Sequence, residues 1–258
     1  MTSDRPVRAT PLRVATAFVL IFVVYQAAEG LQTVIAPGNP VGPLLMLSSL
    51  LLAWPIGRWL GWRGYDAYLL DRRAASFALL AAGMALALLA KFATLAVALR
   101  IGAYIPDGTG PTPNILMPLA IGLLTTFVPS VAEDILTRGF PLRTSGIRWM
   151  PAAFIGVSAL LYTLNHIWRF DWGWTEQVRL FCLGLAYAAA AWRWRTLWAA
   201  VALHWGWNFA GIVADLVEPV RIVDSDAVRL LGAAVHLGLL AIVLVMPARQ
   251  RQQGNRGG

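Results

Sequence analysis

Apolar runs long enough to cross a bilayer recur from one end of this chain to the other, with little polar sequence between them. A hydrocarbon layer about 30 Å thick is crossed by about 20 residues of helix, at about 1.5 Å per residue. Water is absent from that layer, so each backbone N–H and C=O must find its partner within its own element, and such runs become helices. Composition points the same way: of 258 residues 58% are hydrophobic and 13% charged, too few charges to cover a soluble domain of that length. The chain is therefore expected to be all-α, a polytopic transmembrane helix bundle of about eight helices.

Runs of spanning length place the first helix near Val14 to Ile35 and the second near Val41 to Leu60. An interfacial stretch from Gly61 to Arg73 mixes Trp62, Tyr65 and Tyr68 with charges. The third helix is expected near Ala74 to Leu99, followed by a Pro/Gly loop from Ile105 to Asn114. The fourth runs from Ile115 to about Gly139, where Gly139, Phe140 and Pro141 should stop it. The fifth covers Pro151 to about Trp168, and the sixth, Leu180 to Trp192, is short enough to suggest a re-entrant segment. The seventh runs from Thr196 to Val217 and the eighth from Ala227 to Met246. With no internal repeat and no second domain, residues 1–246 read as one transmembrane domain and residues 247–258 as a disordered polar tail.

A net charge of +8 would suggest a nucleic-acid partner in a soluble protein. Here the arginines sit in the connections of one side. With the N-terminus inside, the inner connections hold Arg58, Arg63, Arg72, Arg73, Arg143, Arg148, Arg193 and Arg195 among others. The outer ones hold only Arg100, Arg169, Arg179, Arg221 and Arg229, a bias of about three to one. This predicts a multi-pass protein of the cell membrane with both termini cytoplasmic, in contact with lipid and with no nucleic-acid partner. The single cysteine, Cys182, lies in an apolar run and offers no disulfide framework or CxxC pair. Arg5, Arg8 and Arg13 before an apolar stretch resemble a signal peptide. That stretch is too long, however, and Gln26 spoils a cleavage site at Ala28, so a retained first helix is expected.

Function is to be sought among residues that do not belong in lipid. Glu133, Asp134 and Arg138 lie late in the fourth helix, where each charge costs roughly 3 kcal/mol near a helix centre. Asp134 and Arg138 are four apart, acid first, the favoured order for a pair on one face. That leaves Glu133, turned by about 100°, without a partner and suited to act as a general base. A buried ion-pair cluster that only joins helices is the structural alternative. Pro129, four residues upstream, removes a backbone hydrogen bond and is expected to bend the helix. His166 ends the fifth helix in the run Tyr162-Thr-Leu-Asn-His166, with Tyr162 on the same face. His204 and Asn208, again four apart, share a face of the seventh helix and could both donate to a developing oxyanion. Polar seams between helices use the same residue types. His236 has no companion and reads as structural, and Glu29, Lys91 and Asp215 read as snorkelling or paired.

At these residues the sequence resembles the CPBP family, the intramembrane endopeptidases related to the type II CAAX prenyl protease and to bacteriocin-processing proteins. The resemblance spans roughly Ile115 to Gly211 and rests on three motifs in order: Glu133-Asp134-Ile-Leu-Thr-Arg138-Gly139, Tyr162 to His166, and His204 to Asn208. It implies peptide-bond hydrolysis without a covalent intermediate. Glu133 with His166 would activate a water, His204 and Asn208 would stabilise the oxyanion, and Asp134 and Arg138 would support them. The sequence departs from the family pattern at Asp134, one methylene shorter than the usual second glutamate, and at Tyr162, where phenylalanine is common. No cofactor is expected. The alternative is a divalent metal such as zinc on Glu133, His166 and His204, since three protein ligands suffice for catalytic zinc.

The implied substrate is a peptide or a membrane protein. Two further readings stay open: a non-proteolytic membrane enzyme using the same acid–base cavity on a lipid or isoprenoid, and a non-catalytic immunity or scaffold protein. A transporter would need repeats and paired broken helices. Helix counting also sets a condition, because His204 lies roughly 14 Å from Arg195 and His166 roughly 27 Å from Arg148. A shared site requires the fifth and sixth helices to form a tilted or sunken hairpin, with the segment from Arg169 to Arg179 folded into the protein.

Overall fold

The computed structural model describes residues 9–247. Most of the tail expected to be disordered, from residue 248 on, and Arg5 and Arg8 lie outside the described residues. Within them the protein is a polytopic all-α bundle of eight α-helices: α1 (Pro11–Gly30), α2 (Val41–Trp59), α3 (Ala74–Arg100), α4 (Leu116–Asp134), α5 (Pro151–Asn165), α6 (Trp174–Trp194), α7 (Trp198–Val217) and α8 (Ser225–Val245). All but α5 and α6 are long and apolar enough to cross a membrane, counting the wider-turned continuations of α1 and α4.

Two expectations are corrected. The fourth helix does not stop at Gly139. It widens into a π-helix over Ile135–Thr144 and runs through Pro141. The wider turn relieves the clash that a proline ring makes with the carbonyl one α-turn back. Gly139 is needed there, since a Cβ would stand 2.8 Å from the Tyr68 carbonyl oxygen. The sixth helix is not short: α6 has 21 residues, about 31 Å. Its first turns carry Glu176 and Arg179, paired with each other at 2.5 Å across one turn, so they join the helix although they break the apolar run. Arg179, expected in an outer loop, is therefore a helix residue.

The helices meet through small residues, as spans do where backbones must approach closely. Gly83 faces Ala202, and Gly206 faces Met84 and Ala87, which closes α3 on α7. Gly184 faces Ala159, which closes α5 on α6. With 15 residues α5 ends after about 22 Å, inside a layer about 30 Å thick. Beyond it a 3₁₀ segment (Ile167–Trp172) turns the chain into α6. The hairpin is folded in only in part: Thr175 and Glu176 are buried, while Phe170 to Trp174 stay exposed.

The connections assigned to one side by their arginines also meet in space. At one end Tyr104–Pro106 (β1) pairs antiparallel with Val220–Ile222 (β2), a small ribbon joining the α3–α4 and α7–α8 connections that the sequence did not announce. At the other end Leu197 N–H donates to Leu69 O at 3.0 Å, Trp198 Nε1 to Asp71 O at 2.6 Å, and Thr144 Oγ1 to Ala67 O at 2.7 Å.

Candidate active site

The late part of α4 displays Glu133 and Asp134 one residue apart, so they face different neighbours. Glu133 looks into a cavity of about 290 Å³ bounded by α1, α2, α4, α5, α6 and α7. His166, His204 and Asn208 line the same cavity. The structure thus brings together all four residues expected at the centre. Glu133 Oε1 lies 3.4 Å from His166 Nε2, and Oε2 lies 3.6 Å from His204 Nε2. Acid–base partners must lie within hydrogen-bond reach or one water apart, and these distances meet that condition.

Each imidazole is oriented by its other nitrogen. His166 caps α5, and its Nδ1–H donates to the Tyr162 carbonyl oxygen, one turn back, at 2.8 Å. Its Nε2 therefore presents a lone pair to the cavity. His204 sits in the second turn of α7, and its Nδ1–H donates to Asp134 Oδ1 at 3.2 Å. Its Nε2 faces Glu133 and, at 3.5 Å, the Tyr162 hydroxyl. Asn208, one turn further along α7, donates from Nδ2 to Ser130 Oγ at 3.2 Å and keeps a second N–H for a ligand.

Asp134 and Arg138 form a wall behind this centre. Both are fully buried, and their ion pair runs from Asp134 Oδ1 to Arg138 Nη1. Arg138 also donates to Thr137 Oγ1 at 3.0 Å, and its guanidinium lies 4.5 Å from the centre of the Tyr162 ring and 5.1 Å from that of Tyr187. Two π-faces thus cover a cation with few hydrogen-bond acceptors around it. Aspartate is long enough here because its task is to hold His204 and Arg138, and it does not line the cavity. Tyr162, in place of phenylalanine, adds a hydroxyl that reaches His204.

Several residues of the site were not among those expected. Asn165 donates to Glu133 Oε1 at 3.0 Å. Gln26 of α1 in turn donates to the Asn165 side-chain oxygen at 2.9 Å and to its backbone oxygen at 2.7 Å. Glu29, three residues on, is a buried cavity residue that takes a hydrogen bond from Arg169 at 3.2 Å. It is paired, as expected, and its place is within the site, at the end of α1. Trp168 ties the hairpin to α1 through Gln26 O at 3.2 Å, with its ring against the bare face of Gly30. The sequence does carry a signal, because Gln26 and Glu29 lie on one face of a span in which polar groups must have partners. His236 behaves as a structural residue: it meets Tyr187 Oη at 3.0 Å and donates to Gly232 O at 2.8 Å, away from the cavity.

The centre is an arrangement of hydrogen bonds. Among the described residues no three of His, Cys, Asp and Glu are disposed to hold a metal ion. The metal alternative would rest on Glu133, His166 and His204, whose carboxylate lies 3.4 and 3.6 Å from the two imidazole nitrogens. What the geometry offers is a carboxylate and an imidazole lone pair facing one spot, with an imidazole and an amide beside it.

Compared with known proteins, residues 115–210 match the family model described as type II CAAX prenyl endopeptidase Rce1-like. No curated protein matches the chain.

Proposed function

The chain belongs, through residues 115–210, to the CPBP family of type II CAAX prenyl endopeptidase-like proteins, and from that premise we propose an intramembrane endopeptidase that cuts its substrate with an activated water. At the level of the family the protein is a membrane protease. The finer reading concerns which residues do the work. A water held between Glu133 and His166 gives up a proton to one of them and attacks the carbonyl carbon of the scissile bond. The carbonyl oxygen becomes an oxyanion facing Asn208 Nδ2 and His204 Nε2. His204 donates there only when its Nε2 also carries a proton, and Asp134 on Nδ1 supports that form of the ring. The tetrahedral centre then collapses, the C–N bond breaks, and the leaving amine takes the proton first removed from water. No covalent intermediate and no metal is required.

The reading is supported chiefly by one observation: Glu133, His166, His204 and Asn208 border one cavity, with Glu133 within 3.6 Å of both imidazoles. The substrate is a peptide or a segment of a membrane protein. The protein sits in the cell membrane with both termini cytoplasmic. A peptide-release assay on the purified protein tests the activity. Glu133→Gln should abolish release, and removal of one oxyanion donor by Asn208→Ala should lower it by about a hundredfold to a thousandfold. A chelator should leave release unchanged. Release that survives Glu133→Gln would sink the mechanism, and loss with chelator would restore the metal alternative. Turnover of a lipid or isoprenoid without peptide release would move the same acid–base centre to another reaction. Biological activity that survives Glu133→Gln would mark a non-catalytic immunity or scaffold protein.

A further inference from the structure

A second cavity, of about 210 Å³, lies at the ribbon end of the bundle, among α3, α6, α7 and α8. Its wall sets Lys91, Arg179 and Arg229 against a single carboxylate, Glu176. The two arginines are engaged. Arg179 grips Glu176 at 2.5 and 2.8 Å, while Arg229 lies 3.5 Å from Glu176 and donates to the Trp172 carbonyl at 3.0 Å and to Asp226 at 3.3 Å. Lys91 differs from them. Its ammonium rests 4.8 Å from the centre of the Trp207 ring and makes no hydrogen bond or ion pair among the described residues. Asp215 reaches it only as a longer-range charge.

Three N–H donors on a cation inside a membrane span are costly to leave without acceptors. From this we infer that the cavity binds an anion, and that the anion is a phosphate ester. A phosphate group offers the several acceptor oxygens that Lys91 lacks, and it brings negative charge to the lining cation that has no acid within ion-pair distance among the described residues. The surroundings favour a lipid as its source. Beside the cavity Ile222, Val223 and Trp172 stand exposed at 56%, 59% and 46%, an apolar rim along which acyl chains can lie. Tyr104 and Trp172 supply aromatic rings of the kind that settle at headgroup level, while the buried Trp207 covers Lys91. Basic recesses between spanning helices on the cytoplasmic side hold anionic headgroups in this manner, and the same pairing of cation with phosphate is open to Lys91 at the opposite end. Arg179 also lines the Glu133 cavity, so one side chain borders both spaces.

Native mass spectrometry of the full-length protein in detergent tests the site. One phosphatidylglycerol is expected to be retained, with phosphatidylcholine weaker by roughly tenfold. Lys91→Met and Arg229→Gln should each weaken phosphatidylglycerol by roughly fivefold to tenfold. Lys91→Arg should keep the lipid, which separates loss of charge from loss of fold. Arg100→Gln, an exposed cation outside the cavity, should change nothing. A second arm titrates inorganic phosphate against Tm. A rise in Tm that vanishes in Lys91→Met, without lipid retention, supports the phosphate site and assigns it to the free ion. Equal retention of both lipids overturns the inference. So does retention that withstands both Lys91→Met and Arg229→Gln with no response to inorganic phosphate.

Discussion

Two amides fix the Glu133 carboxylate before any substrate arrives. Gln26 donates to the Asn165 side-chain oxygen, which leaves the Asn165 Nδ2 no choice but to face Glu133. Asn165→Ala should therefore lower peptide release by about tenfold to a hundredfold while the fold survives, because the base loses its orientation. Gln26→Ala acts through Asn165 and should cost less in the same direction. Release assays beside thermal melts check both, and an Asn165→Ala variant that cleaves at the parent rate would end this account of positioning. Behind the centre, Arg138→Met alone should destabilise the protein by about 3–5 kcal/mol, since Asp134 is left buried with its cation gone and only the His204 N–H beside it. Joining it to Asp134→Leu should restore much of that in a thermal melt, though not the activity. At this scale the sequence is legible where chemistry is conspicuous. A carboxylate and two imidazoles stand out in apolar helices, and a spacing of four shows which pairs share a face. Asn165 is not legible, because a neutral amide at the end of a span carries no mark that separates packing from positioning, and Gln26 shows only that it needs a partner, not which one.

Among the elements, what could be read from sequence was the number of helices and most of their ends, because apolar run length decides both. Two judgements failed for reasons of local physics. Counting apolar residues cannot recognise that Glu176 and Arg179 neutralise each other within one turn, so α6 looked too short. Proline in the sequence reads as a stop, whereas a π-turn gives its ring room and carries α4 on to Thr144. That continuation presses Gly139 against the Tyr68 backbone, so Gly139→Ala should lower stability by about 1–3 kcal/mol, read as a drop in Tm. At the start of α3, Asp71 is pulled in two directions. Partial burial works to raise its pKa, but hydrogen bonds from Arg73 and Ser76 outweigh it and hold the carboxyl well below the usual range. A depressed folded-state value adds stability above the unfolded pKa, about 3.9, and loses it as pH falls further. Tm should accordingly fall off below about pH 4, and Asp71→Asn should blunt that fall.

For the whole molecule, the arginine bias and the pairing of connections across the bundle bear on the same question of sidedness. The ribbon joins two connections assigned outside, and the contacts of Leu69 and Asp71 with Leu197 and Trp198 join two assigned inside. In a Cys182→Ser background a membrane-impermeant maleimide added to intact cells should label Thr109→Cys and leave Arg148→Cys unmodified until the membrane is opened. The reverse pattern would invert the topology. The Asp134–Arg138 pair bears on how such a molecule reaches its membrane at all. Both members belong to a single helix, four residues apart, so α4 brings its own counterion when it leaves the translocon. The charges enter the lipid already neutralised, and insertion need not wait for a later helix to supply the partner.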